Sequence, residues 1–523
     1  MGMPSPSAGV YVQEVNQSQV ATGVSSSIGA IVGESNRGPV GDVPYLCTST
    51  KDFLAKFGNP DARMGYMHYC ALAFLENGSQ LYVTRVAPNA LYGGCTVYMN
   101  NGLAAIEPWT SGQADPTLTP FQGTDLFHVY AVDPGAWNND LSVRVYPNTI
   151  TNDGSFYVDV YLTGQGQPVE SFLVKLNYEL DGYGVQLNIQ ENINRRSVYI
   201  RVAQNYEQSD YVANPVFPFI NTLIEQQLVG GTNPTRATTG ELMMGWDQYA
   251  DPEQIDINLL INGGYTDVAI QRKMDEICQS RMDCMAILDV PSMEQKVQDA
   301  INYRRNDLML DSTYSALYAP DYLILDQYNG IKLFVPPSGH VASAYARTDN
   351  EFDLWWAPAG MTRGRLNILG VRETYNQGDR DALYVNQINA TRVILGSGIK
   401  IWGADTLSVI TSALSNVSVR RLMIFLEKSL SEAVIYGVFD PNDEVLRSTL
   451  RDICIRFLLP IQNARGLYGF GVQCDEKNNP PEVIAAGDLM LELDVDPVLP
   501  AKRIHLTAII NKTGARFVNQ SQL

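Results

Sequence analysis

Basic residues, histidines and reactive-site motifs are all scarce in this chain of 523 residues, and each shortage removes a class of function. Lys and Arg number 37 against 56 Asp and Glu, a formal net charge of -19. Nucleic-acid binding needs a basic footprint, so no direct contact with nucleic acid is expected. Such acidity is explained by solubility at high concentration. The four histidines, His68, His128, His340 and His505, are scattered without ligand spacing and read as structural or surface residues. No Gly-Lys dipeptide occurs, which excludes a P-loop, and HExxH and GxSxG are absent too. Gly396-Ser397-Gly398 and Gly469-Phe470-Gly471 do not complete a dinucleotide fingerprint and fit turns or close strand packing better. No cofactor or metal is expected.

Long apolar runs are missing as well. Nothing approaches the roughly 20 residues that span a bilayer, so no membrane insertion is expected. The N-terminus, MGMPSPSAGVYVQEV, has no basic stretch ahead of an apolar core, hence no secretory signal is expected. The seven cysteines form an odd set without a CxxC pair, mostly within apolar runs, and read as buried free thiols of a reducing compartment. One pair of residues offers an enzyme reading. Pro337-Ser338-Gly339-His340 sets a hydroxyl near an imidazole, so an α/β serine hydrolase using Ser338 and His340 is the alternative. Adjacent residues seldom present a productive Ser–His geometry, and the expectation is no enzyme.

What is present is ordinary globular material, 45% hydrophobic and 18% charged, enough for roughly two to four domains. Residues 1–20 are polar, with a short alternating run through Val10, Tyr11, Val12 and Val15. They form either a frayed terminus or a strand that pairs elsewhere. Residues 21–87 read as strand–helix–helix–strand: IGAIVG (28–33), a helix capped in Thr48-Ser49-Thr50 and stopped by Gly58, a helix over 66–76, and a strand at 81–86. Residues 88–229 change texture to alternating runs at 127–132, 141–147, 156–162, 171–176 and 197–203, with helical periodicity nearly absent. This is an all-β insertion.

Residues 230–379 return to α/β character. Strands at 257–263, 284–291 and 322–327 are spaced by helices at 267–282 and 293–305, which implies a largely parallel sheet. Residues 380–502 read as an α+β C-terminal unit. A short strand lies at 398–403 and a helix over 417–436 shows Val419, Leu422, Leu426, Leu430 and Ala433 on one face. A second helix follows to about Leu459, capped by Asp440 or Asn442. In the next alternating run Leu489, Leu491, Leu493 and Val495 share one face. Residues 503–523 hold a last alternation, Ile504, Leu506 and Ala508, and a polar tail. Arg447 and Arg451, one helical turn apart, are either a solvated stripe or a contact for a charged partner.

Several blocks together resemble the contractile tail sheath family of bacteriophages and related injection systems. AGVYVQEV is similar to the family's Pro-Gly-Val-Tyr-Val opening, with Ala8 where proline is usual. GAIVGESNRGPV (29–40), TSTKDFLAKFG (48–58) and DPGAWNNDLSV (133–143) resemble further family blocks. VPPSGHVASAYARTD (335–349), WWAPAG (355–360), GIKIWGADTL (398–407) and FDPNDE…CDEKNNPPEVIAAGDLMLELDVDPVLPA follow in the family's order.

The resemblance implies an α/β multidomain chain with a subtilisin-like core, an outward-facing all-β insertion and an α+β C-terminal domain with extended arms. It implies a homo-oligomer of hexameric rings stacked helically around an inner tail tube, with baseplate and tail terminator proteins as further partners. The location implied is the virion tail, assembled in the host cytoplasm. It further implies that Val10, Tyr11, Val12, Val15, Ile504, Leu506 and Ala508 lie on linking arms. These arms would add to neighbouring subunits' sheets at Leu489, Leu491, Leu493 and Val495, with Arg447 and Arg451 facing the tube. A third reading, an adhesive surface protein, places function in residues 88–229.

Overall fold

The structure is a computed structural model that describes residues 27–504 apart from 42, 62, 102, 151–152 and 208–222. The expected arm residues Val10, Tyr11, Val12, Val15, Leu506 and Ala508 lie outside the described residues.

An eight-stranded sheet organises the molecule. Its first strands are β1 (Ile28–Glu34), β2 (Tyr45–Cys47) and β3 (Gln80–Val86), with helices Thr50–Phe57 and Met67–Leu75 between the last two. Ser49 Oγ accepts from the Asp52 amide at 3.1 Å and Gly58 ends the first helix, as the cap residues predict. The chain then leaves the sheet. β4 (Gly94–Asn100), β5 (Leu103–Pro108), β6 (Asp125–Ala131), β7 (Leu141–Pro147), β8 (Phe156–Leu162), β9 (Glu170–Val174), β10 (Ile200–Gln204) and β11 (Ile224–Gln227) build the insertion. They form two antiparallel sheets, β10-β6-β4-β5 and β11-β7-β8-β9, closed over one apolar core. The alternating runs therefore are strands. The insertion also holds a helix, Ile189–Arg196, capped by Asn188. Only Ile189 and Ile193 carry its apolar side, too few to register as periodicity.

The insertion begins and ends side by side: Leu91 and Thr232 exchange backbone hydrogen bonds at 3.3 and 3.2 Å. Beyond it come β12 (Leu259–Ile261), β13 (Met285–Asp289), β14 (Ser315–Ala319), β15 (Tyr322–Asp326), β16 (Ile331–Val335), β17 (Gly370–Val371), β18 (Ile388–Ile394) and β19 (Gly398–Ile401). The central order is β19-β18-β14-β13-β12-β1-β3-β2. Neighbours from β18 to β3 pair in parallel, and antiparallel strands close both edges. Helices cover both faces. On β1, Ala30 and Val32 enter one core with Trp246, Ile270 and Met274, while Ile31 enters the other with Phe53, Phe74 and Tyr345. Burial on both faces explains why β1 reads as a continuous apolar run.

Two expectations are corrected here. YLILDQ, expected in the parallel sheet, is β15, the middle of a small antiparallel sheet β16-β15-β17. Its place in the large sheet belongs to SALYA, which is β14 and wholly buried. The strand at 398–403 was expected in a C-terminal unit starting at residue 380. As β19 it instead closes an edge of the central sheet, so this body extends past residue 400.

The stretch 335–349, read without an assigned element, is a core helix, Ser338–Glu351. Its small residues permit close packing: a Cβ on Gly339 would stand 2.4 Å from the Cys70 Cα of helix Met67–Leu75. All seven cysteines are buried and free. Cys278 and Cys284 have their sulfurs 3.5 Å apart, far beyond a disulfide bond.

Candidate assembly interface

The enzyme reading fails on geometry. Ser338 Oγ donates to Asp289 Oδ2 at 2.7 Å and accepts from the Gly263 amide at 3.1 Å. The Ser338 amide donates to Asp289 Oδ1 at 2.7 Å. Asp289, at the end of β13, thus caps the core helix Ser338–Glu351 from another element. The imidazole of His340 packs edge-on to Tyr322, its buried Nδ1 has no hydrogen-bond partner, and burial pushes its pKa down to about 4. Serine and histidine serve separate packing roles and form no dyad. Ligands of open α/β sheets bind beyond the carboxyl ends of the strands, where the strand order reverses. Here that place, between β1 and β12, is filled by the protein itself. The Tyr265 hydroxyl accepts from the Glu34 amide at 3.0 Å, and a Cβ on Gly264 would lie 2.9 Å from Pro336.

The C-terminal unit has a different character. Helices Val417–Val434 and Glu444–Asn463 carry a small sheet of only two strands, β20 (Leu467–Gln473) and β21 (Glu492–Pro497). The first half of helix Val417–Val434 belongs to the central core through Val417 and Ile424. From the same helix, Leu422 and Leu426 join Leu458, Ile461 and Leu467 in a separate cluster beneath the small sheet. A buried ion pair locks the helix to the central body: Arg421 Nη1 and Nη2 donate to Asp349 Oδ1 and Oδ2 at 2.9 and 2.5 Å. The second helix is capped by Asp443, whose Oδ1 accepts from the Leu446 amide at 2.8 Å. That residue replaces the expected Asp440 or Asn442, and the helix continues through Pro460 to Asn463.

Register sets what the small sheet shows. Phe470 pairs with Val495 and Val472 with Leu493, so these four share a face, and Phe470, Val472 and Val495 pack on the helices. The other face carries Gly469 and Gly471 opposite Asp496 and Asp494. Among the described residues no third strand pairs with either edge.

The expected acceptor residues are thus divided. Leu493 and Val495 lie in β21, whereas Leu489 and Leu491 precede it in the connection that follows helix Pro481–Ala486. Asn479 holds that connection, accepting from the Met490 amide at 2.7 Å. Ile504, the one expected arm residue described, is exposed and outside any strand. The expected charged stripe is corrected. Arg447 is buried and its Nη1 donates to Asn442 Oδ1 at 2.9 Å, so it does not form an exposed pair with Arg451.

Sequence reasoning missed a ridge at the turn between the two helices. Ile435, Tyr436, Val438 and Phe439 are all exposed there, and Phe439 adopts φ 72°. A bulky residue at positive φ carries strain, and this ring gains no packing in return. The unusual feature, an exposed apolar cluster in a short linker, was visible in the letters IYGVF.

Comparison with known proteins bears on the same regions. The family model of the phage tail sheath protein central domain matches residues 235–407, and that of the phage tail sheath C-terminal domain matches 411–511, together just over half of the chain. The chain is 29% identical over 312 residues to the tail sheath protein of Enterobacteria phage T4, covering 55% of this chain and 47% of that protein. It is 27% identical over 445 residues to the tail sheath protein of Vibrio phage KVP40, covering 75% and 63%. The chain therefore spans about half to under two thirds of the length of these relatives. Among solved structures, the sheath complex of the extracellular contractile injection system PVC in its contracted state aligns with a TM-score of 0.56 at 16% identity, over 98% of this chain and 99% of that one. A sheath tail protein from Listeria innocua aligns with a TM-score of 0.58 at 11% identity, over 92% and 97%. At these identities the likeness is one of fold. With a plugged α/β crevice and two domain models matched in order from the central sheet to the two-stranded module, the chain belongs to the phage tail sheath family.

Proposed function

We propose that this chain is a structural sheath subunit that polymerises as stacked six-membered rings around an inner tail tube. Contraction of that sheath drives the tube through a target envelope. The observation that carries this reading is the two-stranded sheet with both edges open among the described residues. Open edges invite strand addition. The arms of neighbouring subunits, residues 1–20 and 503–523, are the strands to be added. About 5 main-chain hydrogen bonds at ~0.5–1.5 kcal/mol each give several kcal/mol per junction. Such junctions can persist while rigid domains rotate during contraction.

Two further features support it. Gly469 and Gly471 are not required by this chain's own fold, because a Cβ at either would meet only ordinary contacts, at 3.9 and 3.8 Å. Glycine in a strand marks close approach of another backbone, here one lying on the acidic face. The arms also differ in charge. Residues 503–523 contain Arg503, Lys512 and Arg516 and no Asp or Glu, whereas residues 1–20 carry Glu14 alone among charged side chains. The β21 edge, with exposed Glu492, Asp494 and Asp496, suits the basic arm. The ridge at 435–439 offers a further contact to neighbouring subunits or the tube. The central α/β body acts as the rigid lever, subtilisin-like in type, and the virion tail or injection particle, with its baseplate and terminator, is the setting.

Deletion of residues 1–18 tests the reading. The truncated chain should remain folded by circular dichroism yet fail to polymerise under conditions where the intact chain forms tubes. Long tubes of truncated protein in negative-stain micrographs would sink it.

A further inference from the structure

The insertion carries a face that sheath assembly does not account for. Along β7 and β8 the outward side chains are Arg144, Tyr146, Tyr157, Asp159 and Tyr161, opposite one another in register as Tyr146 with Tyr157 and Arg144 with Asp159. Tyr146 and Tyr157 stack with ring centroids 5.2 Å apart and planes 19° off parallel. The Tyr146 hydroxyl donates to Asp159 Oδ2 at 3.0 Å, which fixes that ring. Asp159 is buried, and its other oxygen, Oδ1, has no hydrogen-bond partner. Beside the two rings runs an open groove of about 560 Å³ that includes both tyrosines and Asn148, a volume in the range of small-ligand sites.

The chemistry of the face selects among ligands. Aromatic rings present flat apolar surface with a polar tip, which suits the C–H face of a pyranose and its rim of hydroxyls. Asn148 and Thr149 in the groove's lining add polar groups beside the rings for such hydroxyls. Anions are disfavoured. The cation of this face, Arg144, is already occupied: its Nε donates to Glu225 Oε2 at 2.7 Å and its guanidinium lies 4.1 Å from the Tyr161 ring centroid. Glu225, Asp159 and the net charge of -19 add repulsion. We infer that the Tyr146–Tyr157 groove on the β-sandwich insertion is a binding site for neutral oligosaccharides.

The test titrates the full chain separately with maltohexaose, cellohexaose and chitohexaose, read by saturation-transfer NMR and calorimetry. At least one should bind saturably with a Kd of about 0.1–1 mM. Tyr157→Ala should weaken it by about tenfold or more through loss of the stacked ring, while Tyr157→Phe should retain it within about twofold. If Tyr157→Ala does not melt cooperatively, Tyr157→Leu keeps bulk without the ring and should show the same loss. The inference is overturned if none of the three sugars saturates by about 10 mM, if both ring deletions bind as the parent does, or if only an anionic probe, oligogalacturonate, binds.

Discussion

At the scale of single residues, Asp289 and Ser338 occupy the place where an α/β enzyme keeps its chemistry, and here they hold a helix. Burial pushes the Asp289 carboxyl up to about 7, against about 3.9 in an unfolded chain. Between those values the folded state holds the extra proton, so the contribution of Asp289 to stability falls as pH rises from about 4 to about 7. Asp289→Asn removes this titration but takes an acceptor from the Gly264 amide, which lies 3.1 Å from Asp289 Oδ2. The stability of the variant relative to the parent should therefore rise with pH across that window, measured by urea denaturation. A constant difference would count against the assignment. Phe439 gives a second test. Its strained φ and lack of packing predict that Phe439→Gly leaves the monomer as stable or raises it by about 1 kcal/mol.

At the scale of elements, helix Val417–Val434 serves two cores and joins the central body to the C-terminal module, together with Leu354 and Trp355, whose Nε1 donates to the Ala464 carbonyl at 3.1 Å. The side chains of Arg421 and Asp349 are nearly inaccessible, at 5% and 3% exposure. Arg421→Ala would remove the cation paired with the buried Asp349 carboxylate, which also accepts from the Ser27 hydroxyl at 2.8 Å, a loss of about 3–5 kcal/mol by chemical denaturation. The two-stranded sheet makes the opposite prediction. Gly471→Val adds a β-branched side chain where the chain's own atoms leave room. The monomer should tolerate it, whereas tube formation measured by sedimentation should fall sharply because a neighbour's strand meets the new side chain. Equal loss in monomer and tube would remove the reason given for the glycine.

At the scale of the whole molecule, the insertion hangs from the central body by adjacent strands of chain at Leu91 and Thr232. It has its own apolar core. Its ties to the body among the described residues include the Arg85 guanidinium donating to the Pro134 carbonyl at 2.9 Å and Arg37 stacked 4.3 Å from the Trp137 ring. Replacing residues 92–231 with a short Gly-Ser linker should leave a soluble chain that melts cooperatively and still forms tubes. Loss of tubes with the fold intact would move the insertion into the assembly machinery.

Much of this molecule was legible from its letters, because local rules and burial agree there. Ser49 and Gly58 bound a helix, and alternating runs became the strands of the insertion, since a half-buried antiparallel strand must alternate. Pairing partners were not legible. SALYA and YLILD are both short apolar runs, and only the packing of helices on both faces decided which entered the central sheet. Helix Ser338–Glu351 hid its identity because its small residues look unremarkable until Gly339 is set against Cys70. Arg447 looked solvated because helical spacing alone does not reveal that Asn442 turns back to accept its hydrogen bonds. The linear order of residues thus determined most of the elements, the Ser49 and Gly58 helix bounds and the family. Which strand neighbours which, which charges are buried and which sheet edge is left open were decided by long-range contacts, whose energies depend on partners far away along the chain.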